Sequence, residues 1–171
     1  PQNKPSDIDD NDAYSGAYIN RLLTGLYTPG STFKIVTAIC AIENISDIYD
    51  RTFKCTGEYD PGSGTPIECN ARHGTLTFEQ ALAKSCNSVF AQIAIELGPQ
   101  KLADTAKELG LTSKVTLNND IDSSTGRFFL ESGDADDYVG WTVIGQGDAL
   151  VTSIAMLRLV GAIANGGTAV S

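Results

Sequence analysis

Ser31 and Lys34 are the residues of this chain whose types and spacing best suit nucleophilic chemistry. A serine hydroxyl is a weak nucleophile near neutral pH and needs a base beside it. Residues three apart share one face of a helix, so the amine of Lys34 can reach the hydroxyl of Ser31. Taken alone, the motif is better explained by a helix-capping serine followed by an exposed lysine than by a catalytic pair. The catalytic interpretation therefore depends on the rest of the chain.

Two further segments carry side chains suited to the same chemistry. In Ser85-Cys86-Asn87, the hydroxyl of Ser85 could relay a proton, and the amide of Asn87 could hold a substrate carbonyl or Lys34. In Gly145-Gln146-Gly147, two glycines permit tight backbone beside a pocket. Each segment alone is explained as well by ordinary structure, the first by a capped junction between helices and the second by a turn.

Helices are predicted to position these residues. The apolar pattern predicts a helix over 31–43 and a second from Thr77, where Gln80 completes a capping box. Further helices are predicted over 88–97, from Pro99 to Gly110, and from Thr152 to Ala164. In the last of these, the residues expected to face inward are Ile154, Leu157, Val160 and Ile163. Residues 50–76 indicate a loop and hairpin, residues 111–140 indicate irregular structure, and Trp141 to Ile144 indicate a short strand.

Composition excludes some functions. The chain has 171 residues, enough for one domain with a real core, and a formal net charge of −9. That charge repels phosphate backbones, so nucleic acid is not expected as a partner. The acidic runs at 7–12 and 131–137 are interpreted as solvated loops, because neither has the residue order of a calcium-binding loop.

The four cysteines leave alternatives open. Cys40 and Cys86 lie in apolar helical patterns and are interpreted as core residues. Cys55 and Cys69 flank a turn-rich segment; free thiols are favoured, and a disulfide between them is the alternative. A zinc site is less favoured, because the spacing is not Cys-x-x-Cys and His73 is the only histidine. The sequence thus predicts no metal and no cofactor.

The three motifs, taken together and in this order, resemble those of a known family. Thr28-Pro29-Gly30-Ser31-Thr32-Phe33-Lys34 resembles the nucleophile motif of penicillin-binding proteins, and Ser85-Cys86-Asn87 is similar to their Ser-x-Asn motif. Residues 143–147, 151–152 and 162–167 resemble the segment that precedes their Lys-Thr-Gly strand, and Arg72-His73-Gly74 also fits. The resemblance covers most of residues 14–170 and points to the monofunctional, class B type.

The resemblance implies a fold, a reaction and a set of roles. The fold would be α+β, like serine β-lactamases and penicillin-binding transpeptidases, with residues 1–171 forming the mostly helical part of the domain and an incomplete sheet. Ser31 would attack the bond between the two terminal D-alanines of a peptidoglycan stem peptide, with Lys34 activating it. Ser85 would shuttle a proton, Asn87 would orient Lys34 and substrate, and the segment Gly145, Gln146, Gly147 would bind substrate.

The resemblance also implies partners and a location. Stem peptides and β-lactams are the expected ligands, and the full-length protein is expected to be membrane-anchored, extracytoplasmic and associated with cell-wall synthesis partners. No Lys-Thr-Gly or Lys-Ser-Gly occurs in the chain, so the 171 residues alone are expected to be catalytically impaired and to leave an apolar face exposed. The alternatives are a class D-like β-lactamase or β-lactam sensor, and a non-catalytic cell-wall scaffold.

Overall fold

The computed structural model describes residues 19–118 and 120–169. A 3₁₀ turn at Gly30–Phe33 precedes six α-helices in that part of the chain: α1 (Lys34–Asn44), α2 (Phe78–Ala83), α3 (Asn87–Leu97), α4 (Pro99–Glu108), α5 (Asp136–Val143) and α6 (Ser153–Ala164). The strands are short: β1 (Leu26–Tyr27), β2 (Thr52–Cys55), β3 (Glu58–Tyr59), β4 (Ile67–Glu68), β5 (Gly74–Thr77), β6 (Thr116–Leu117), β7 (Ile121–Asp122) and β8 (Val151–Thr152). The α+β prediction is confirmed.

The strands form four antiparallel pairs, β1 with β8, β2 with β5, β3 with β4, and β6 with β7. In the longest pair, Phe53 lies opposite Leu76 and Cys55 lies opposite Gly74. The predicted loop and hairpin over 50–76 is therefore two nested hairpins, with the β3–β4 pair inside the loop that joins β2 to β5. This arrangement brings both ends of the inner hairpin close to the start of β5.

Helix α3 is the centre of the core, because it packs against α1, α2, α4 and α5. Its sequence is apolar on most sides, as expected of a helix with neighbours all round. Helix α5 can approach it closely because residue 140 is glycine: a Cβ there would lie 2.8 Å from Ile67 and 3.4 Å from Ala91. The largest fully buried apolar side chains are Phe33, Phe90, Ile48, Ile67, Ile93, Leu102, Leu111 and Ile144.

Local signals fixed several helix ends as predicted. Thr77 caps α2, its hydroxyl accepting from the backbone N–H of Gln80 while the Gln80 side chain accepts from the Thr77 N–H. Gly98 ends α3 at a φ of 81°, and Pro99 opens α4. Thr152 caps α6. These ends determine where the α2–α3 junction and the last helix begin.

Three predictions were wrong. Residues 111–140 are not irregular throughout, because they contain the β6–β7 pair and the first five residues of α5. Trp141 to Ile144 form no strand: residues 141–143 belong to α5, whose first turn carries Asp136 and Asp137 at the favourable N-terminal end of the helix dipole. A short apolar run does not distinguish strand from buried helix by itself.

The inward face of α6 was also misassigned. Ile154 is buried, but Leu157, Val160 and Ile163 are exposed to 60%, 48% and 51%, and Ala155 and Leu159 are buried in their place. Helix α6 is apolar on nearly all sides, so its periodicity does not single out one face.

The sequence also predicts solvated loops at two acidic runs. The acidic run at 7–12 lies outside the described residues. In the run at 131–137, Asp134 accepts from the backbone N–H of Glu131, and Asp137 accepts from that of Thr65 at 2.8 Å. Within the described ranges, no helix has the length and apolar character needed to cross a bilayer.

Candidate active site

The amine of Lys34 is the centre of the candidate site. It donates to Ser31 Oγ at 2.9 Å, to Ser85 Oγ at 3.1 Å and to Asn87 Oδ1 at 2.8 Å. An ammonium group has three hydrogens, so these three acceptors satisfy it completely. The Lys34 side chain is only 1% exposed, which is rare for lysine and is tolerated because every donor is paired.

Ser31 and Lys34 differ in their access to solvent. Ser31 lies in the 3₁₀ turn and is exposed, whereas Lys34 is the first residue of α1 and is buried. Phe33 anchors the turn between them: it is fully buried and stacks on Phe128 with ring centroids 4.7 Å apart. The hydroxyl is therefore accessible from solvent, while the amine that contacts it is buried.

Burial lowers the pKa of Lys34 below its ordinary value of 10.5, while the nearby thiols of Cys69 and Cys86 act in the opposite direction. The charged form of a buried amine lacks the solvation that water would give it. A lysine with a lowered pKa spends more of its time as the neutral amine, which can accept the Ser31 proton. The geometry and the pKa shift thus agree on a serine–lysine pair.

Ser85 is held in an unusual backbone conformation at the junction of α2 and α3. Its φ is 51°, in the left-handed region that costs a non-glycine residue about 1–2 kcal/mol. Hydrogen bonds from the backbone N–H groups of Ser85 and Cys86 to carbonyls of Leu82 and Ala81 maintain the turn. Strain of this kind, held in place by surrounding contacts, is typical of functional positions.

Asn87 connects the site to the inner hairpin. Its Oδ1 faces Lys34, and its Nδ2 donates to the backbone carbonyl of Glu68 at 2.9 Å. The two contacts require opposite ends of the amide, so together they fix its orientation. Asn87 therefore holds Lys34 from one side and the strand β4 from the other.

The segment Gly145 to Gly147 lies beside the 3₁₀ turn that carries Ser31. The N–H of Gly30 donates to the carbonyl of Gly145 at 2.9 Å. Gly145 has a φ of 80°, and a Cβ there would lie 1.8 Å from the Gly30 carbonyl oxygen. Only glycine fits, which explains the residue type at this position. Gln146 and Gly147 are exposed next to it.

The structure thus brings together Ser31, Lys34, Ser85 and Asn87 by direct hydrogen bonds, and places Gly145 against the residue before Ser31. Their catalytic and substrate-binding roles remain predictions. The contact between α1 and the end of α5 is reinforced by Thr37, whose hydroxyl donates to the Val143 carbonyl at 3.3 Å.

Sequence reasoning missed a second cluster directly behind the site. Cys55, Cys69, His73 and Cys86 lie with their donor atoms all within 4.8 Å of one another. All the cysteines are free, so the alternative of a disulfide between Cys55 and Cys69 is not what the structure shows. The spacing of the four residues gave no sign of the cluster, because it is the nested hairpins that bring them together.

The cluster contains thiols in different electrostatic environments. Burial opposes charge on Cys55, but hydrogen bonds from the backbone N–H groups of His73 and Gly57 outweigh it and lower the pKa of Cys55 to about 6. Burial raises the pKa of Cys86 to about 12. The thiol of Cys55 therefore loses its proton more readily than an ordinary cysteine, and Cys69, His73 and Cys86 lie next to it.

Comparisons with known proteins agree with the geometry. The profile of the penicillin binding protein transpeptidase domain matches residues 2–171. The peptidoglycan D,D-transpeptidase PbpA of Mycobacterium tuberculosis is 30% identical over 156 residues, which are 86% of this chain and 30% of the relative. The chain therefore spans about a third of the length of this curated relative.

Solved structures show the same fold. Penicillin-binding protein A from M. tuberculosis, as its penicillin G acyl-enzyme complex, has a TM-score of 0.82 at 28% identity, covering 96% of this chain and 38% of that one. The penicillin-binding protein PBP2 of Helicobacter pylori, solved in complex with MreC, has a TM-score of 0.82 at 25% identity, covering 97% and 32%.

Proposed function

Because the chain belongs to the penicillin-binding protein transpeptidase family, we propose that the complete protein is a serine-type peptidoglycan D,D-transpeptidase with Ser31 as its nucleophile. The observation that carries the proposal is the hydrogen bonding of a buried Lys34 amine to Ser31, Ser85 and Asn87. Residues 1–171 are one partial transpeptidase domain, in keeping with the share of PbpA that they match.

The first half of the reaction forms an acyl-enzyme. Ser31 Oγ attacks the carbonyl carbon of the penultimate D-alanine, and its proton passes to the neutral amine of Lys34, 2.9 Å away. The amide C–N bond then breaks. The terminal D-alanine leaves as an amine after receiving a proton from Lys34 through the hydroxyl of Ser85, which lies 3.1 Å from the same nitrogen.

The second half returns the enzyme to its starting state. The amine of another stem peptide attacks the ester carbonyl and loses a proton through Ser85 to Lys34. The ester C–O bond breaks and Ser31 regains its proton. One amide bond is broken and one is formed, with no change of oxidation state. A β-lactam would acylate Ser31 in the same way, a proposal supported by the penicillin G acyl-enzyme of the similar M. tuberculosis protein.

The partners and location follow from the same family. The complex of a similar protein with MreC supports the proposal that the complete protein works beside other cell-wall synthesis proteins. Peptidoglycan lies outside the cytoplasm, so we propose an extracytoplasmic domain held at the membrane by other parts of the complete protein. Within the chain, Gly145, Gln146 and Gly147 are proposed to line the substrate cleft next to Ser31.

The test uses the complete protein with a synthetic stem pentapeptide as donor and a second stem peptide as amine acceptor. We expect one D-alanine to be released for each cross-link formed, and no release from Ser31→Ala. Ser113→Ala, an exposed serine outside the site, is the matched control and should react normally.

Three results would contradict the proposal. Release of D-alanine without cross-linking would indicate a carboxypeptidase. Rapid turnover of penicillin with no peptide reaction would indicate a β-lactamase. Cross-linking that survives Ser31→Ala would place the nucleophile elsewhere.

A further inference from the structure

The cluster behind the active site has the composition of a metal site. Three thiols and one imidazole converge from separate elements: Cys55 ends β2, Cys69 follows β4, His73 precedes β5, and Cys86 caps α3. Cys55 is 2% exposed and Cys86 is fully buried, while Cys69 and His73 are half-buried. The set is more than a cysteine pair, because all four donor atoms lie within 4.8 Å of one another.

The distances fit a tetrahedral ion. Zinc bonds of about 2.3 Å to sulfur and 2.0–2.1 Å to nitrogen place two sulfurs about 3.8 Å apart, and a sulfur and a nitrogen about 3.6 Å apart. Cys69 Sγ lies 3.7 Å from Cys86 Sγ. His73 Nδ1 lies 3.6 Å from Cys55 Sγ and 3.5 Å from Cys69 Sγ. These three edges match the tetrahedron, and the other three are no longer than 4.8 Å.

A disulfide accounts for the cluster less well. It would join only two of the three thiols, and the third thiol and the imidazole beside it would take no part in the bond. A metal ion uses all four donors at once. Thiolates together with an imidazole select zinc over magnesium or calcium, which prefer oxygen ligands, and four protein ligands with no open position are typical of a structural zinc site.

We propose that Cys55, Cys69, His73 and Cys86 bind one structural Zn²⁺ ion, contrary to the expectation of no metal from the sequence. The ion joins the two hairpins to the start of α3. No bond of the peptide reaction passes through it, since all four positions are filled by protein.

The site's position gives it a second consequence, which rests on the proposed function. Cys86 is the residue between Ser85 and Asn87, so a bond from its sulfur to the ion fixes the turn that carries both. Cys69 follows Glu68, whose carbonyl accepts from Asn87. The ion therefore holds both ends of the Asn87 contact and supports the strained Ser85 backbone. The four ligands are positioning residues for the Lys34 network.

The first experiment measures metal directly on the complete protein, purified without chelator. We expect about one zinc ion per chain by elemental analysis, and replacement by Co²⁺ should give the intense visible bands of tetrahedral cobalt–thiolate coordination. Cys69→Ala should lose the zinc and the cobalt bands. Cys40→Ala, a buried cysteine outside the cluster, should keep both.

The second experiment distinguishes a role of the ligands in positioning the Lys34 network from a role in the stability of the fold alone. Acylation of Ser31 by a fluorescent penicillin should slow by about 100-fold in Cys69→Ala, the scale on which a displacement of about 1 Å acts. Cys69→Asp, which supplies a carboxylate ligand for zinc, should restore zinc binding and most of the acylation rate. A general loss of stability would not be repaired by a carboxylate at a half-buried position.

The outcomes distinguish this inference from the proposed function. Wild-type protein that carries no zinc, fails to take up Co²⁺, or contains a disulfide between cluster cysteines would overturn the metal site, whatever happens at Ser31. Zinc bound at one ion per chain without labelling of Ser31 would sustain the site and overturn the proposed function. Acylation at the wild-type rate in zinc-free Cys69→Ala would overturn the positioning role.

Discussion

The Lys34 amine and the outer face of α6 are opposite exceptions to the usual distribution of residues. Lys34 is an ionisable residue yet is 1% exposed, while Leu157, Val160 and Ile163 are apolar yet about half exposed or more. The buried amine has three hydrogen-bond partners that account for its burial. The apolar face of α6 has no comparable explanation in its contacts. The difference indicates that a buried ionisable residue whose contacts explain its burial is a stronger candidate for a functional site than an exposed apolar face.

The largest effect is expected from Lys34→Met, which keeps the length of the side chain but removes the base. Acylation by a fluorescent penicillin should fall by about 10²- to 10⁴-fold in the complete protein, the usual contribution of general acid–base catalysis. Lys101→Met, at an exposed lysine on α4, is the control and should leave the rate unchanged. An unchanged rate in Lys34→Met would show that the buried amine is only structural.

Two leucines test which face of α6 is buried in the 171-residue chain. Leu159 is 4% exposed and Leu157 is 60% exposed. Leu159→Ala should lower the free energy of unfolding by about 2–5 kcal/mol because it leaves a cavity. Leu157→Ala should change it by no more than about 0.5 kcal/mol, as at other surface positions. Urea denaturation measures both, and equal losses would contradict the assignment of the two faces.

Alanine substitutions at Gly145 and Gly62 distinguish the cost of backbone strain from the cost of a steric clash. Both have positive φ, 80° and 82°, so alanine costs each about 1–2 kcal/mol. Only at Gly145 does the new Cβ meet backbone, the Gly30 carbonyl before Ser31. Gly145→Ala should therefore lose about 1–3 kcal/mol more of unfolding free energy than Gly62→Ala. Denaturation of the two variants in parallel checks this, and equal losses would mean that the two loops do not touch.

The smallest effect concerns pH. Burial lowers the pKa of Lys34 from 10.5, and the proposed mechanism uses the neutral amine as the base. The acylation rate should therefore rise with pH, by up to about tenfold per pH unit below the Lys34 pKa, and level off below pH 10.5. A rate profile of the complete protein with penicillin measures it. A rate that falls as Lys34 deprotonates would mean that the charged amine is the active form.

Local chemistry made much of the molecule predictable. The spacing of Ser31 and Lys34 gave their contact, since a helical turn places them on one face. The capping box at Thr77 and the start of a helix at Pro99 were predicted correctly because each depends on residues close together in sequence. The link from Lys34 to Ser85 and Asn87 crosses more than fifty residues. The residue types made it possible, and the family resemblance was needed to predict it.

The features that could not be predicted from the sequence depend on tertiary packing. Residues 141–143 became helix because α5 packs against α3 through Gly140, a contact that a local pattern does not contain. The buried face of α6 depends on its neighbours, since the helix is apolar nearly all round. The four-donor cluster depends on strand pairing, which places Cys55 opposite Gly74, next to His73.

The most direct test of the central claim is intact mass spectrometry of the complete protein after treatment with penicillin G. We expect one covalent penicilloyl adduct per protein molecule, located by peptide mapping on the segment that contains Ser31, and none on Ser31→Ala. Absence of an adduct on folded protein, or an adduct on any other residue, would contradict it.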